Sequence, residues 1–288
     1  MSLAIEPGMA PPVLIFGHIH KTAGSTLRTI LWRQYSPQSV FFSMTPEEHG
    51  VRFEALRSRM ETEQRPVEVV VTHGGYGVHT LLPSRYTYSY FTFLREPIDR
   101  VMSGYYMFLR QGKIPSDLTI DRFVQTYLRP GCNMQTAYLS GYLLECFLQD
   151  RLPEREAFTE ALLQKAKDNL ARHAVVGLTE RFDESLLLLQ QAYGWHWRNL
   201  LYARENVGHN RKPREVLSDA SRRVVLQYNE LDLELYRYAR QLFAEQVQVL
   251  GDVERRVARF RTLNRVYAAT VPRVMGWMRP VVRAVRGQ

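Results

Sequence analysis

The sequence predicts an α/β domain built in three layers, a central parallel sheet flanked by helices, and three observations carry that prediction. Short apolar runs rich in β-branched and aromatic residues recur at 12–17, 67–71, 88–94 and 174–177, as expected of strands buried on both faces. Between and after them lie longer stretches whose apolar residues return at helical spacing. At 288 residues with 45% apolar content, the chain is long enough to fill one sizeable core. Strands that alternate with helices pair in parallel through helical crossovers.

In chain order, Pro12-Val-Leu-Ile-Phe-Gly17 is the first strand, closed by its glycine. The segment Thr26–Tyr35 carries Leu27, Ile30 and Leu31 on one helical face and is stopped by Ser36-Pro37. A second helix is expected over Pro46–Glu61. The β-branched run Val67-Glu-Val-Val-Val71, bounded by Pro66 and Gly74-Gly75, is the second strand, and Tyr88–Leu94 the third. Helices then dominate, over 97–110, 118–128, 133–142, 154–172, 184–193 and 218–248, with one more short strand at Ala174–Gly177. These elements make one domain over 12–250, followed by a basic, helical tail over 251–288.

Charge is distributed unevenly. The net charge is +9, yet Val253–Gln288 holds nine arginines against one acidic residue, so the remainder is close to neutral. A nucleic-acid-binding domain would spread its cations over the surface that meets the phosphates, so no nucleic-acid partner is expected. The two cysteines, Cys132 and Cys146, read as free thiols, and the scattered histidines show no metal-ligand spacing, so no metal is expected. The first residues lack a signal-peptide pattern, and no apolar run reaches membrane-spanning length. The chain therefore reads as soluble and cytoplasmic.

Between the first strand and first helix lies His18-Ile-His-Lys-Thr-Ala-Gly-Ser-Thr26. A strand-to-helix loop presents backbone N–H groups and the positive end of the helix dipole to an anion. Lys21 adds a full charge, Thr22, Ser25 and Thr26 add hydroxyls, Ala23 lies within the loop, and Gly24 lets the backbone come close. The fold is thus P-loop-like. Its residue order differs from the nucleoside-triphosphate loop, because Lys21 precedes the glycine by three positions instead of following it.

The loop resembles the 5′-phosphosulfate loop of sulfotransferases, particularly heparan sulfate 2-O-sulfotransferases and their bacterial relatives, with His20 where a proline is usual. The resemblance implies an enzyme that takes a sulfuryl group from 3′-phosphoadenosine 5′-phosphosulfate (PAPS) and needs no metal. A second motif agrees with it. The segment Phe91-Thr-Phe-Leu-Arg95 ends a strand, Pro97 opens a helix, and Ser103 follows eight positions after Arg95. This looks like the family's 3′-phosphate site, in which Arg95 offers a planar fork to phosphate oxygens and Ser103 a hydroxyl. The segments 133–136, 176–186 and 229–236 also resemble family segments in the same order. Arg211 and Lys212, in an expected loop, match basic residues that relatives bring near the cofactor.

On the acceptor side, Thr72-His73-Gly-Gly-Tyr-Gly-Val-His79 follows the second expected strand, at the carboxyl ends of the sheet where such folds bind ligands. His73 matches the relatives' catalytic base, and a histidine with an ordinary pKa near 6.5 accepts protons at physiological pH. His79 is a candidate for lining the acceptor cleft. Lys21 would also stabilise charge on the leaving oxygen. The acceptor implied is a hydroxyl of a glycan. Two competing readings share these residues: a phosphoryl transferase, for which no magnesium-binding carboxylate is evident, and an inactive relative that binds glycan or membrane. In the tail, Val257, Phe260, Leu263 and Val266 alternate with Arg255, Arg256, Arg259 and Arg261. Such a helix can rest peripherally on an anionic membrane, hold an acidic acceptor, or dock its apolar stripe on the domain.

Overall fold

A computed structural model describes residues 11–43, 49–62, 67–128, 132–203 and 217–275. Its centre is a five-stranded, all-parallel sheet in the order β2-β3-β1-β4-β5. The strands are β1 (Val13–Gly17), β2 (Val40–Ser43), β3 (Val69–Thr72), β4 (Tyr88–Leu94) and β5 (Val175–Leu178). Helix α1 (Gly24–Gln34) links β1 to β2, and α2 (His49–Thr62) lies between β2 and β3. The chain thus moves outward from β1 and returns to its flank as β3. It then crosses to the other side for β4, which carries α3 (Pro97–Arg110). That reversal of direction leaves a crevice at the carboxyl ends of β1 and β4, the usual ligand position in open parallel sheets.

Side chains alternate across the sheet, as the strand period requires. Leu14, Phe16, Val69, Val71, Phe91 and Phe93 share one buried cluster with Leu27, Ile30 and Leu31 of α1. Val13, Ile15, Val70 and Tyr90 face the opposite layer with Phe53, Leu56 and Met60 of α2. Phe16 and Phe91 are both fully buried and stack at 5.0 Å between centroids. Each such ring contributes about 1.5–3 kcal/mol by leaving water. The expected three-layer α/β architecture is therefore the observed one.

Four boundaries differ from the sequence expectation. Strand β2, four residues between two prolines, was not anticipated; among the described residues it pairs only with β3, from Val40 opposite Val69 to Ser43 opposite Thr72. The expected helix 133–142 is two helices, α5 (Met134–Ser140) and α6 (Tyr142–Leu148), broken at Gly141 with φ 83°. The expected helix 154–172 is a single turn over Arg155–Ala157 and then α7 (Glu160–Ala171), opened by Thr159, whose hydroxyl accepts the Leu162 N–H. The expected 218–248 helix is α10 (Asp219–Tyr228) and α11 (Glu230–Gln248), interrupted at Asn229. The start of the helix expected over Pro46–Glu61 lies outside the described residues.

The remaining helices are α4 (Ile120–Tyr127), α8 (Phe182–Tyr193), the short α9 (Trp197–Leu200) and α12 (Val253–Met275). Helices α3, α4 and α10 form a satellite core around Tyr105, Phe123 and Val225. The basic helix α12 docks on the domain. Val257 and Phe260 are buried, Arg261 pairs with Asp183 of α8 at 2.8 Å, and Asn264 accepts the Tyr202 N–H at 2.6 Å. Arg33 of α1 donates to the Tyr267 hydroxyl at 2.7 Å. Val257, Phe260 and Leu263 of its apolar stripe thus rest on protein, whereas Val266 is exposed, as are Arg255, Arg259 and Arg265. Among the described residues, no helix is long and apolar enough to cross a membrane.

Candidate active site

The carboxyl edge of β1 and β3 is tied together by backbone bonds that run past the ends of the strands. The His18 N–H donates to the Thr72 carbonyl at 2.9 Å, and the His73 N–H to the Ser43 carbonyl at 3.1 Å. The loop from His18 to Gly24 then turns sharply: Lys21 and Ala23 both adopt left-handed backbone, φ 71° and 66°, a conformation non-glycine residues seldom hold without a functional reason. Thr22 is fully buried and donates its hydroxyl to the Ile19 carbonyl at 2.8 Å. That bond braces the turn and turns the Thr22 proton inward. Ser25 and Thr26 stand half-buried in the first turn of α1.

Helix α1 opens at Ala23 with no side-chain cap and no acidic residue in its first turn. Its leading N–H groups are thus left to an external acceptor. Gly24 has a reason beyond close approach of an anion. A Cβ there would fall 1.6 Å from Nε2 of His18, whose imidazole stacks on Phe16 at 5.2 Å and covers the glycine.

Lys21 is half-buried beside this turn. Burial first, then the charges of Arg110 and Arg95, draw its ammonium below the ordinary lysine range. An anion placed among these cations would offset their mutual repulsion and favour the charged ammonium. Arg95, just past β4, donates from Nη1 to the Lys21 carbonyl at 3.2 Å, so the two expected phosphate sites adjoin. Ser103 lies on α3, about 9 Å along the axis from Pro97, half-buried and seven positions before Arg110. That spacing puts Ser103 and Arg110 on one helical face. Arg110 escaped the sequence reading, although its i+7 relation to Ser103 was visible there.

His73 is buried, and its Nδ1 lies 2.6 Å from the His18 carbonyl oxygen. A carbonyl can only accept, so Nδ1 carries the proton and Nε2 is the basic nitrogen of the neutral ring. His20 stacks on His73 with centroids 3.8 Å apart and planes at 20°, and His18 lies 4.5 Å from His73. In the sequence His20 only stands where a proline is usual; in the structure it covers one face of the His73 ring. Desolvation by the surrounding protein, then the charges of Arg100 and Lys21, push His20 down to about 4. Its exposed edge admits water that weakens the first of these causes. His18 is held well below the usual histidine range, by desolvation and then by His73 and His20.

The loop after β3 is held by its own hydrogen bonds and by a close approach to α5. Thr72 Oγ1 accepts the Gly74 N–H at 2.8 Å, and the Tyr76 N–H donates to the Tyr138 carbonyl at 2.8 Å. A Cβ on Gly75, at φ 82°, would lie 2.7 Å from that same carbonyl oxygen. His79 is carried away from the imidazole group. Its Nδ1 sits 2.9 Å from the Tyr90 hydroxyl, with Tyr76 and Tyr88 around it, and burial lowers its pKa. Arg211 and Lys212 lie outside the described residues. Among the described residues, no cluster of three or more His, Cys, Asp or Glu side chains is placed to hold a metal ion.

A buried polar network backs the site. Asp232 of α11 is fully buried and accepts from the Gln135 N–H at 3.1 Å, the Thr136 N–H at 2.8 Å and the Thr136 hydroxyl at 2.8 Å, with Arg100 Nη2 at 3.8 Å. Asn229 Oδ1 accepts the Asn133 N–H at 3.2 Å, and Asn133 Oδ1 accepts the Asp232 N–H at 3.1 Å. The segments 133–136 and 229–236, noticed separately in the sequence, are two halves of one interlock.

A family model described as galactose-3-O-sulfotransferase matches residues 4–271. Heparan-sulfate 6-O-sulfotransferase 2 of Gallus gallus is 26% identical over 205 residues, 62% of this chain and 50% of that protein. Heparan-sulfate 6-O-sulfotransferase 1 of Homo sapiens is 28% identical over 199 residues, 59% of this chain and 47% of that protein. Galactose-3-O-sulfotransferase 3 of Mus musculus is 26% identical over 272 residues, 86% of this chain and 62% of that protein. The chain spans about half the length of the heparan-sulfate relatives it matches. These matches support a sulfotransferase, but of a different branch from the 2-O type that the loop suggested: the loop motif carried the class of enzyme and not the branch.

Proposed function

The chain belongs to the galactose-3-O-sulfotransferase family, and from that premise we propose that it moves a sulfuryl group from PAPS to a hydroxyl of a carbohydrate. The donor's phosphosulfate end fits the uncapped start of α1 with Lys21, Ser25 and Thr26. Its 3′-phosphate fits Arg95 and Ser103. Bound there, the donor supplies an activated sulfuryl group whose leaving oxygen sits on a phosphate. Lys21 stabilises the charge that grows on that oxygen.

The observation that carries the acid–base part is the 2.6 Å contact from His73 Nδ1 to the His18 carbonyl. It sets the tautomer, so Nε2 takes the hydroxyl proton while the acceptor oxygen bonds to sulfur and the sulfur–oxygen bond of the donor breaks. The acceptor class rests on the relatives, which are named for galactose and heparan sulfate.

The test is sulfuryl transfer from radiolabelled PAPS to galactose-terminated and heparan-type oligosaccharides, with ATP as the alternative donor. Transfer is expected from PAPS alone. His73→Ala should lower kcat by about 10²–10⁴-fold and leave binding of adenosine 3′,5′-bisphosphate within about threefold. A variant that turns over like the wild type would remove His73 from the mechanism.

A further inference from the structure

We propose that Gln135 is a positioning residue of the donor site, clamping the backbone of Arg95 so that its guanidinium is presented to the 3′-phosphate. The proposal rests on the PAPS reading above and adds a residue outside both phosphate motifs. Arg95 is the first residue past β4, where sheet pairing has ended. The fully buried Gln135 takes the place of a neighbouring strand there: its Oε1 accepts the Arg95 N–H at 2.9 Å and its Nε2 donates to the Arg95 carbonyl at 2.9 Å. A side-chain amide offers a donor and an acceptor side by side for such a pairing.

The clamp is itself held from behind. Asp232 receives the Gln135 N–H, and Asn229 receives the Asn133 N–H, so the start of α5 cannot shift without breaking buried bonds. From the front, Arg95 reaches the Lys21 carbonyl. A continuous hydrogen-bonded chain thus runs from α11 through Gln135 and Arg95 to the loop that would hold the phosphosulfate. Anchoring α5 alone would need only Asp232. The Gln135 side chain instead bonds to the backbone of the residue that bears the expected phosphate ligand, which separates positioning from packing.

The experiment measures calorimetric affinity for adenosine 3′,5′-bisphosphate and for adenosine 5′-monophosphate, with thermal melting of each protein. The wild type should favour the bisphosphate. Gln135→Glu keeps the shape but loses the donor to the Arg95 carbonyl, and Gln135→Met loses both bonds. Each should weaken bisphosphate binding by about tenfold, the equivalent of roughly one buried hydrogen bond, while the monophosphate changes less than about twofold. Thr136→Val, which loses its hydroxyl bond to Asp232 without touching Arg95, should lower the melting temperature and keep the wild-type preference. If Gln135→Met does not fold, the near-isosteric Gln135→Glu carries the comparison. Folded Gln135 variants with an unchanged preference would overturn the clamp alone. A wild type that binds both nucleotides equally would overturn the 3′-phosphate reading and the clamp with it.

Discussion

Replacing Asp232 with alanine tests whether the buried network is as important to folding as its geometry implies. The carboxylate accepts two backbone N–H groups and one hydroxyl, all at 3.1 Å or less, with no exposed surface of its own. Each buried donor left without its acceptor costs about 1–3 kcal/mol. The Thr136 hydroxyl can rotate to another partner, and Arg100 at 3.8 Å lies beyond hydrogen-bonding distance, so the two N–H groups dominate and the loss should be about 4 kcal/mol. With an unfolding entropy of about 2.1 cal/mol/K per residue, a chain of 288 residues has roughly 0.6 kcal/mol/K in total. The melting temperature should therefore fall by about 7 °C. Asp232→Asn keeps one acceptor oxygen and should lose about half as much. Circular dichroism melting with matched urea titrations gives both quantities. A loss below about 1 kcal/mol for Asp232→Ala, at an unchanged denaturant slope, would mean that water or a neighbouring group replaces the carboxylate and that the network is not a structural anchor.

Other consequences are equally open to measurement. Burial pushes His173 down to about 4 although its Nδ1 donates to the Asn169 carbonyl; its folded pKa lies below the unfolded value near 6.5, so the unfolded chain takes up the proton first. Its contribution is fully present above pH 6.5 and is lost as pH falls from there toward 4, about 2 kcal/mol by pH 5. Urea midpoints at pH 7 and pH 5 should therefore differ less in His173→Gln than in the wild type, and equal pH sensitivity of the two would count against it. Gly24→Ala should displace the His18 ring and weaken bisphosphate binding by at least about tenfold, since the new Cβ would sit inside that ring; wild-type affinity in this variant would show that the loop relaxes freely. Phe260→Ala should cost about 3 kcal/mol of stability, because the ring is buried where α12 docks; a change under about 0.5 kcal/mol would mean that α12 stands apart from the folding unit.

The legible parts of the fold were those with local periodicity. Val69–Thr72 and Tyr88–Leu94 announce themselves through β-branched and aromatic residues, and Pro97 marks the start of α3 at the residue expected. Strand β2 did not, because four residues contain too little pattern to distinguish a strand from a loop. The break at Asn229 was equally hidden. The Asn229 side chain accepts the Asn133 N–H, 96 positions away; no window along the chain contains that partner.

At the site, the sequence alone identified the chemical types and their place at strand ends: an anion loop around Lys21, an arginine at the end of β4, and a histidine after β3. Those follow from chain-local rules, since a strand followed by a helix must expose its N–H groups at the turn. Only tertiary structure decided that His20 and not His79 lies against His73, that the His18 carbonyl selects the His73 tautomer, and that Gln135 holds Arg95. Each of these is a contact between distant segments, governed by how the sheet brings its edges together within hydrogen-bonding distance. Spacing along a chain carries no information about such distances until the core has packed.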